Sequence, residues 1–413
     1  MSTATYAPSA GTTGALEILF VVGTLEVGGT ERHLAAIAPA LVKRGWSVSL
    51  YSIAGSGALR AEMQGKGVNV FVPQFEAGHA PRITRLPQLM LAGGDLFKRM
   101  RTLKPQIVHF FLPAAYLVGA PAAILADIPV RIMSRRSLNV YQRSYPFVQQ
   151  IERRLHRKMT AILGNSRSVV RELSELEGVP ANRLGLIYNG IDIARFADAG
   201  PPAATRARLG LGPQTLTLVI VGNLIPYKGH SDLIAALGLA SAKLPDDWRL
   251  MVVGRDEGVA PALRAQAAAL GIADKISFLD IRNDVPEILN ACDIGVLCSH
   301  QEGFSNAVLE GMAAGLPMIV TNVGGNAEAV LDGKTGIVVP PHDPERLAAA
   351  IIRLADSPSL RASFGGAARC RMAEHFALER SIDDYDALYR ALLAGGAPQD
   401  IRQIGVTDWL LAS

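Results

Sequence analysis

The feature that most constrains this chain is a repeated alternation of short apolar, β-branched runs with segments of helical periodicity. In the first half the runs are L-E-I-L-F-V-V, W-S-V-S-L-Y-S-I, P-Q-I-V-H-F-F, I-P-V-R-I-M, M-T-A-I-L-G and R-L-G-L-I-Y. Strands of a parallel sheet are covered by helices on both faces, so they are apolar throughout rather than alternating. The pattern therefore predicts βαβ units and one complete doubly wound domain.

A second series of runs follows a stretch rich in Pro, Gly and Ala that has no strand pattern. Its runs are T-L-T-L-V-I-V-G, W-R-L-M-V-V-G, K-I-S-F-L-D, D-I-G-V-L-C-S, P-M-I-V-T-N and G-I-V-V-P. A chain of 413 residues also exceeds what one core usually supports. We therefore predict an α/β fold with two tandem Rossmann-like doubly wound domains that face each other across a cleft.

The predicted boundaries follow from these patterns. The N-terminal domain spans residues 16–195, the linker 196–214 and the C-terminal domain 215–376. Residues 377–413 are predicted to form a helix that packs back on the N-terminal domain. Residues 1–15 are small and polar, without a basic segment before an apolar one, and are predicted to be a flexible tail rather than a signal peptide.

Composition predicts a cytoplasmic protein, at most held at the inner face of the membrane. Hydrophobic residues make up 49% of the chain, yet no uninterrupted apolar run approaches the roughly 20 residues that span a bilayer. The three cysteines, Cys292, Cys298 and Cys370, form no C-x-x-C pair and are too few to cross-link a chain of this size. A reducing compartment fits this usage.

Charge is distributed unevenly along the chain. The first 200 residues hold about 23 Lys and Arg against about 13 Asp and Glu, whereas the remainder is acidic. The segment from Arg131 to Lys158 is dense in basic residues and contains several aromatic ones. It is either a solvated helix face or an acceptor-side patch, with Arg135 and Arg136, that recognises a lipid-linked phosphate or an anionic membrane. No nucleic-acid-binding motif accompanies the charge, so no nucleic-acid partner is predicted.

The segment D-I-G-V-L-C-S-H-Q-E-G-F-S-N-A-V-L-E-G-M-A-A-G-L-P predicts a phosphate-binding turn. A buried strand ends near Ser299, and a helix begins near Ser305 or Asn306, so its free amides and its dipole favour an anion. On that helix the Glu310 carboxylate can accept two hydrogen bonds from a ribose diol, and Glu302 on the loop reaches towards a sugar. The alternative is an exposed loop acid and a helix-surface acid.

The letters E-G-F-S-N-A-V-L-E resemble the acidic signature of the retaining glycosyltransferases of family 4, which have the GT-B fold. The resemblance extends over nearly the whole chain after the tail. It implies transfer of a sugar from a nucleoside-diphosphate sugar, with Glu310 on the ribose and Glu302 beside the donor sugar. The backbone from Gly303 to Asn306 would bind the diphosphate and the sugar hydroxyls.

Two further segments match the family. G-T-L-E-V-G-G-T-E-R-H-L is similar to its first-strand glycine loop, where Gly28 and Gly29 would let the backbone approach the pyrophosphate. V-I-V-G-N-L-I-P-Y-K-G-H places Gly222 and Lys228 at a predicted helix start, where the lysine would donate a charge-assisted bond to a phosphate oxygen. The alternatives are an ordinary glycine turn and a solvated lysine.

The sequence departs from the family pattern at two positions. Many members have Arg where Asn223 stands, and many have a second histidine where Phe111 stands, two residues after His109. The segment N-G-I-D, with Asn189 and Gly190, is also similar to the family, and we interpret it as the turn that closes the first domain.

No metal cofactor is predicted. The only D-x-D, Asp384-Tyr385-Asp386, lies in a helical pattern and is interpreted as helix surface. Lys228 and the helix amides would replace the cation that such a motif binds in other glycosyltransferases.

We therefore predict a metal-independent hexosyl- or glycosyltransferase (EC 2.4) that acts on a glycan or lipid-linked acceptor, in cell-surface polysaccharide or glycolipid synthesis. A nucleotide-sugar epimerase of related fold and a non-catalytic nucleotide-sugar-binding subunit are the alternatives. Catalytic roles are predicted for Glu302, Lys228 and His109. The residues predicted to bind the donor are Gly28, Gly29, Gly222, Asn223, Lys228, Arg282, Glu302, Gly303, Phe304, Ser305, Asn306 and Glu310.

Overall fold

The computed structural model describes residues 16–26, 28–55, 57–73, 82–139, 142 and 145–410. The predicted N-terminal tail lies outside these residues. The chain divides into two compact units, residues 1–131 and 132–413, and each is described by itself. The predicted linker and domain boundaries stay predictions.

The strands form two parallel sheets, which confirms the predicted fold class. The strands of the first sheet are β1 (Glu17–Val22), β2 (Ser47–Ser52), β3 (Asn69–Phe71), β4 (Ile107–Phe111), β5 (Val130–Arg135), β6 (Ala161–Gly164) and β7 (Leu184–Leu186). Those of the second are β8 (Leu216–Val221), β9 (Trp248–Val253), β10 (Ile276–Phe278), β11 (Ile294–Leu297), β12 (Met318–Thr321) and β13 (Gly336–Val339). Their orders are β3-β2-β1-β4-β5-β6-β7 and β10-β9-β8-β11-β12-β13. Each order reverses once, as in doubly wound folds.

In the first unit, four described helices connect the strands. They are α1 (Gly29–Lys43), α2 (Arg60–Gly65), α3 (Arg82–Leu103) and α4 (Pro113–Leu125). β1 pairs in register with β2 on one side and with β4 on the other, so it lies at the point where the strand order reverses. The loop after β1 and the end of β4 therefore flank that point.

In the second unit, helices again alternate with strands. They are α5 (Pro146–His156), α6 (Arg167–Glu175), α7 (Ala194–Ala197), α8 (Pro202–Arg208), α9 (His230–Ala240), α10 (Ala260–Ala269), α11 (Val285–Asn290), α12 (Asn306–Ala313), α13 (Asn326–Ala329), α14 (Pro344–Ala355), α15 (Pro358–His375), α16 (Leu378–Leu393) and α17 (Thr407–Leu410). The predicted linker region includes the end of α7 and the whole of α8, and no described strand.

The second sheet is buried on both faces. Leu218 and Ile220 of β8 join one apolar cluster, whereas Val219 between them joins a second cluster on the opposite face. Each of these side chains is 1% exposed or less. Continuous burial explains why the strand is apolar at every position and why its loops carry the polar chemistry.

The C-terminal residues pack against the last strand of the first sheet. Gly405 forms a bridge with Gly185 of β7, and the Ser381 hydroxyl of α16 donates to the Tyr188 carbonyl at 3.1 Å. These partners belong to the sequence range predicted as the N-terminal domain. Within the described ranges, no helix is long and apolar enough to cross a membrane.

Candidate active site

The candidate site lies where the order of the second sheet reverses. β8 is hydrogen-bonded to β9 on one side and to β11 on the other. Neighbouring connections leave such a switch point in opposite directions, which opens a crevice outside the carboxyl ends of the strands. The segments that follow β8 and β11, residues 222–229 and 298–305, flank this crevice.

The segment after β8 is held tightly against the segment after β11. A 3₁₀ turn spans Pro226–Lys228, and Gly229 follows with φ +72°. A side chain at position 229 would collide with the Cys298 carbonyl, so both the conformation and the space require glycine. α9 begins at His230, two residues later than Lys228, where the sequence predicts the helix start.

Lys228 and Glu302, which are 74 residues apart, form an ion pair across the switch point. Lys228 Nζ lies 2.6 Å from Glu302 Oε1, and the two side chains are 18% and 11% exposed. The Ser299 hydroxyl donates to the same carboxylate oxygen at 2.8 Å. The Lys228 ammonium is thus already paired with a carboxylate. An ammonium has three donors, so Lys228 retains capacity for a phosphate oxygen.

The loop that carries Glu302 continues into the N-terminus of α12. Ser305 is the N-cap, but its side chain makes no capping hydrogen bond. The first-turn amides are thus not capped by the Ser305 hydroxyl, and the helix dipole favours an anion there. Gly303 is in close contact with the Arg136 backbone, since a Cβ at position 303 would overlap the Arg136 carbonyl.

Asn189 connects this loop to the first sheet. Its amide nitrogen donates to the Phe304 carbonyl at 2.9 Å and to Asn306 Oδ1 at 2.7 Å. Its amide oxygen accepts from Arg136 Nη2 at 2.7 Å. The sequence interpretation of Asn189 as a turn residue missed this role, because N-G-I-D specifies a local turn and not which loop lies over it.

The Phe304 side chain is part of an aromatic cluster under the loop. It is 5% exposed, and its ring centroid lies 4.8 Å from that of Tyr188 and 5.3 Å from that of Phe376. Only the backbone of Phe304 is therefore free to contact a ligand. The buried ring anchors the loop and orients its amides.

A second carboxylate, Glu328 of α13, caps the start of α6. It accepts from the amides of Arg167 and Ser168 at 2.8 and 3.1 Å and from the Tyr188 hydroxyl at 3.0 Å. Burial raises the pKa of Tyr188, and the Glu328 charge raises it further, so the hydroxyl remains a donor. Sequence reasoning did not find Glu328, since a lone acid in a four-residue helix carries no local signal.

Other predicted donor residues of the second unit lie around the same edge of the sheet. Gly222 directly follows β8, with its amide bonded to the Val253 carbonyl at 2.8 Å, and Asn223 is exposed beside it. Glu310 is half-buried on α12. Arg282 is engaged by Asp284 through two 2.7 Å hydrogen bonds, which raise the pKa of the guanidinium. These two bonds hold the Arg282 side chain against Asp284.

The first unit contains two of the predicted donor residues, Gly28 and Gly29, at the start of α1. Gly28 is the N-cap of α1 in an extended conformation, and Gly29 begins the helix. The Glu31 carboxylate folds back over Gly28 and occupies the space that a side chain there would need. An anionic group therefore already lies at this helix N-terminus.

The structure corrects the catalytic assignment of His109. This residue lies inside β4 rather than at its end and is 0% exposed. Its ring centroid is 4.2 Å from that of Phe111 and 6.0 Å from that of Phe20. The imidazole is therefore enclosed by aromatic rings and has no surface exposed to solvent in this structure.

The structure also corrects the acceptor-side assignment of Arg135. Its side chain is 1% exposed and donates to both oxygens of Glu177 at 3.0 and 3.1 Å. Glu152 lies 3.4 Å away, and His156 contacts Glu177 at 2.7 Å. Arg135 therefore balances buried carboxylates. Arg136 is half-buried and bonded to Asn189, so it supports the loop from beneath.

The D-x-D residues lie on α16, as predicted for a helical segment. Asp386 accepts from Arg390 at 2.9 Å, one turn further along. Burial raises the pKa of Asp384 to about 6. Tyr385 between them is 1% exposed, so the two carboxylates flank a buried ring and do not form a loop that could coordinate a donor-bound cation.

The buried His230, at the start of α9, should make the free energy of unfolding depend on pH. Burial, reinforced by the Lys228 charge, lowers its pKa from 6.5 to about 4. The unfolded chain binds a proton at this imidazole near pH 6.5, whereas the folded chain does so only near pH 4. The folded state is therefore fully stable above pH 6.5 and loses stability as the pH falls towards 4. From pH 7 to pH 5 we expect a loss of about 2 kcal/mol in the free energy of unfolding.

Urea unfolding of His230→Gln tests this. The variant should lose less stability over the same pH interval, by about that amount. Leu239→Gln, at an exposed position of the same helix and without a titratable group, serves as the control and should keep the pH dependence of wild type. Equal pH dependence of wild type and His230→Gln would contradict the assignment.

Two doubly wound parallel sheets in tandem are the arrangement of the GT-B fold, to which many glycosyltransferases belong. Residues 27–195 match the family described as Glycosyltransferase Family 4, and residues 203–371 match the family described as Glycosyl transferases group 1. The chain belongs to glycosyltransferase family 4, as the sequence resemblance predicts.

Individual proteins are similar over most of the chain. The D-inositol 3-phosphate glycosyltransferase of Rhodococcus jostii is 28% identical over 389 residues, which cover 89% of this chain and 85% of the relative. Anabaena HepE in complex with UDP-glucose superimposes with a TM-score of 0.77 at 23% identity, over 90% and 98% of the two chains. The sucrose-phosphate synthase of Thermosynechococcus elongatus gives a TM-score of 0.79 at 21% identity, over 92% and 100%. The two structures share the fold.

Proposed function

We propose that this glycosyltransferase moves a sugar, with retention of anomeric configuration, from a nucleoside-diphosphate sugar to an acceptor. The observation that carries the proposal is the Lys228–Glu302 pair at the switch point of the second sheet, beside the N-terminus of α12. Lys228 binds the diphosphate together with the amides of Ser305 and Asn306. Glu310 binds the ribose.

The chemistry follows from where charge develops. Departure of the nucleoside diphosphate places negative charge on the leaving oxygen and positive charge on the sugar ring. Lys228 and the α12 amides stabilise the first, and the Glu302 carboxylate orients the sugar and stabilises the second. No side chain of the described site is placed as a nucleophile, so we propose that the leaving group and acceptor share one face of the sugar. The cationic lysine makes a donor-bound metal unnecessary.

The donor and acceptor classes draw on the similar proteins. HepE was solved with UDP-glucose, and the R. jostii relative is named for D-inositol 3-phosphate. We propose a UDP- or GDP-sugar as donor and a glycan or lipid-linked acceptor, with a phosphorylated polyol as the second candidate. Exposed Tyr145 and Phe147 at the start of α5, together with exposed Arg153 and Arg154 in its last turn, support peripheral contact with an anionic membrane.

Released nucleoside diphosphate, measured over a panel of donors and acceptors, tests the proposal. The panel should include D-inositol 3-phosphate, a glycan and a lipid-linked phosphate, each with and without EDTA. We expect acceptor-dependent release that persists in EDTA, and NMR of the product should show the anomeric configuration of the donor. An inverted product would contradict retention.

The same panel separates the alternatives. Conversion of the donor to its epimer without acceptor would identify an epimerase. Normal donor binding without turnover on any acceptor would identify a non-catalytic binding subunit. Loss of activity in EDTA, restored by Mg²⁺ or Mn²⁺, would contradict metal independence.

A further inference from the structure

We infer that Asp232, His300 and His342 form a zinc-binding site. The three residues come from separate segments, namely the first turn of α9, the loop after β11 and the loop after β13. Their candidate ligand atoms all lie within 4.8 Å of one another. The site is next to the candidate donor site but consists of different residues.

The ligand atoms are close to a coordinating arrangement. His300 Nε2 lies 2.8 Å from Asp232 Oδ2, and the imidazole centroids of His300 and His342 are 3.7 Å apart. Zinc–ligand bonds of about 2.0 to 2.1 Å in a tetrahedron put ligand atoms roughly 3.4 Å apart. That separation lies between the 2.8 Å of the His300–Asp232 contact and the 4.8 Å within which all three ligand atoms lie, so side-chain rotation can admit the ion.

The ligand set selects the metal. Two imidazoles with one carboxylate suit zinc and similar divalent transition metals, whereas Mg²⁺ and Ca²⁺ prefer oxygen ligands. Three protein ligands leave a fourth position for water. Asp232 and His300 are 22% and 20% exposed and His342 is exposed, so the ion can exchange with solvent.

The backbone at His342 supports the site independently. Its φ is +58°, in the left-handed region that residues other than glycine occupy at an energetic cost. This conformation, just before α14, puts the imidazole over His300. Such a costly conformation persists where the surroundings require it, and coordination of a shared ion provides that requirement.

The bound ion would join the two segments that carry Lys228 and Glu302. The His300 amide donates to the Tyr227 carbonyl at 2.7 Å, and Asp232 follows Lys228 by four residues. A zinc ion between Asp232 and His300 therefore ties the segment after β8 to the segment after β11. We assign it a structural role that does not depend on donor binding or on the proposed function.

Zinc titration of the full chain tests the inference. Protein freed of metal with EDTA, in a Cys370→Ser background that removes the exposed thiol, is titrated with Zn²⁺ by calorimetry and with Co²⁺ by visible absorption. We expect one ion per chain and a zinc-dependent rise in melting temperature without nucleotide. Absence of saturable zinc binding would overturn the inference.

Matched variants locate the ion. His342→Ala and Asp232→Asn should each weaken zinc binding by about tenfold or more and abolish the thermal shift, because each removes one of three ligands. His375→Ala, at an exposed imidazole of α15, should bind zinc as wild type. If His342→Ala and His375→Ala bind zinc equally, the ion is held elsewhere and the assignment fails. Because no nucleotide sugar is present, either outcome leaves the proposed transferase activity untouched.

Discussion

Lys228→Ala should weaken nucleotide-sugar binding by about tenfold to a hundredfold and lower kcat/KM by about a hundredfold to a thousandfold. Truncation removes the charge-assisted bond to the diphosphate and leaves the Glu302 carboxylate, 11% exposed, without its lysine beside that anion. The effect on turnover exceeds the effect on binding because negative charge grows on the leaving group in the transition state. Calorimetric titration with a nucleotide sugar and steady-state kinetics measure the two quantities.

The matched control is Lys334→Ala, at an exposed lysine of the same unit, which should leave both quantities unchanged. Glu302→Gln frees Lys228, so it should reduce kcat more than it reduces donor affinity. Glu310→Gln should weaken binding of the free nucleoside diphosphate as well as the sugar nucleotide, since the ribose is common to both. If Lys228→Ala binds the nucleotide sugar with unchanged affinity and has an unchanged melting temperature, the lysine does not contact the donor.

Arg135→Met should destabilise the fold by about 3 to 5 kcal/mol. The replacement is similar in length but leaves two carboxylates, Glu177 and Glu152, buried at 0% exposure without their cation. Burial alone raises the pKa of Glu177, but the hydrogen bond from His156 and the Arg135 charge outweigh it and hold that pKa below its ordinary 4.5. The free energy of unfolding in urea measures the loss.

The exposed pair Arg171–Glu175 on α6 supplies the control, because its side chains are 48% and 60% exposed. Arg171→Met should cost less than about 1 kcal/mol. The sign of the pH dependence follows from the lowered pKa of Glu177. The ionised Glu177 carboxylate makes its full contribution to the stability of the fold above pH 4.5. That contribution is lost as the pH falls through the folded-state pKa of Glu177. If Arg135→Met lowers the free energy of unfolding by less than 1 kcal/mol, the two buried carboxylates do not need the Arg135 charge.

Strands and helices could be predicted wherever the apolar residues follow one another in a run or recur with the spacing of a helix. The twelve runs identified in the sequence all become strands, because most of their residues are apolar and buried. β3 was missed, since its three residues, Asn69–Phe71, are too short to show a period. The start of α12 at Asn306 was predicted from the polar loop before it. The start of α9 was misplaced because Gly229, rather than Lys228, ends the preceding turn.

The candidate site was predictable only in part. Lys228 and Glu302 were each found through local motifs, and the sequence assigned them separate tasks. Nothing local indicates that the two would pair, and Asn189 was interpreted as a turn. His109 was assigned to the substrate through the family resemblance of its strand, and Arg135 through the basic segment that contains it. Residue type does not report the aromatic rings or the carboxylates that enclose them.

By itself, the sequence determined the fold class and the family of this protein. Apolar runs, glycine turns and helix starts depend on interactions within a few residues, so they can be read along the chain. The tertiary structure alone decided which loops meet. The order β10-β9-β8-β11 brings the segments after β8 and β11 side by side, and that adjacency places Lys228 on Glu302 and Asp232 on His300. These are long-range contacts between polar side chains, and their partners are set by strand order rather than by sequence spacing.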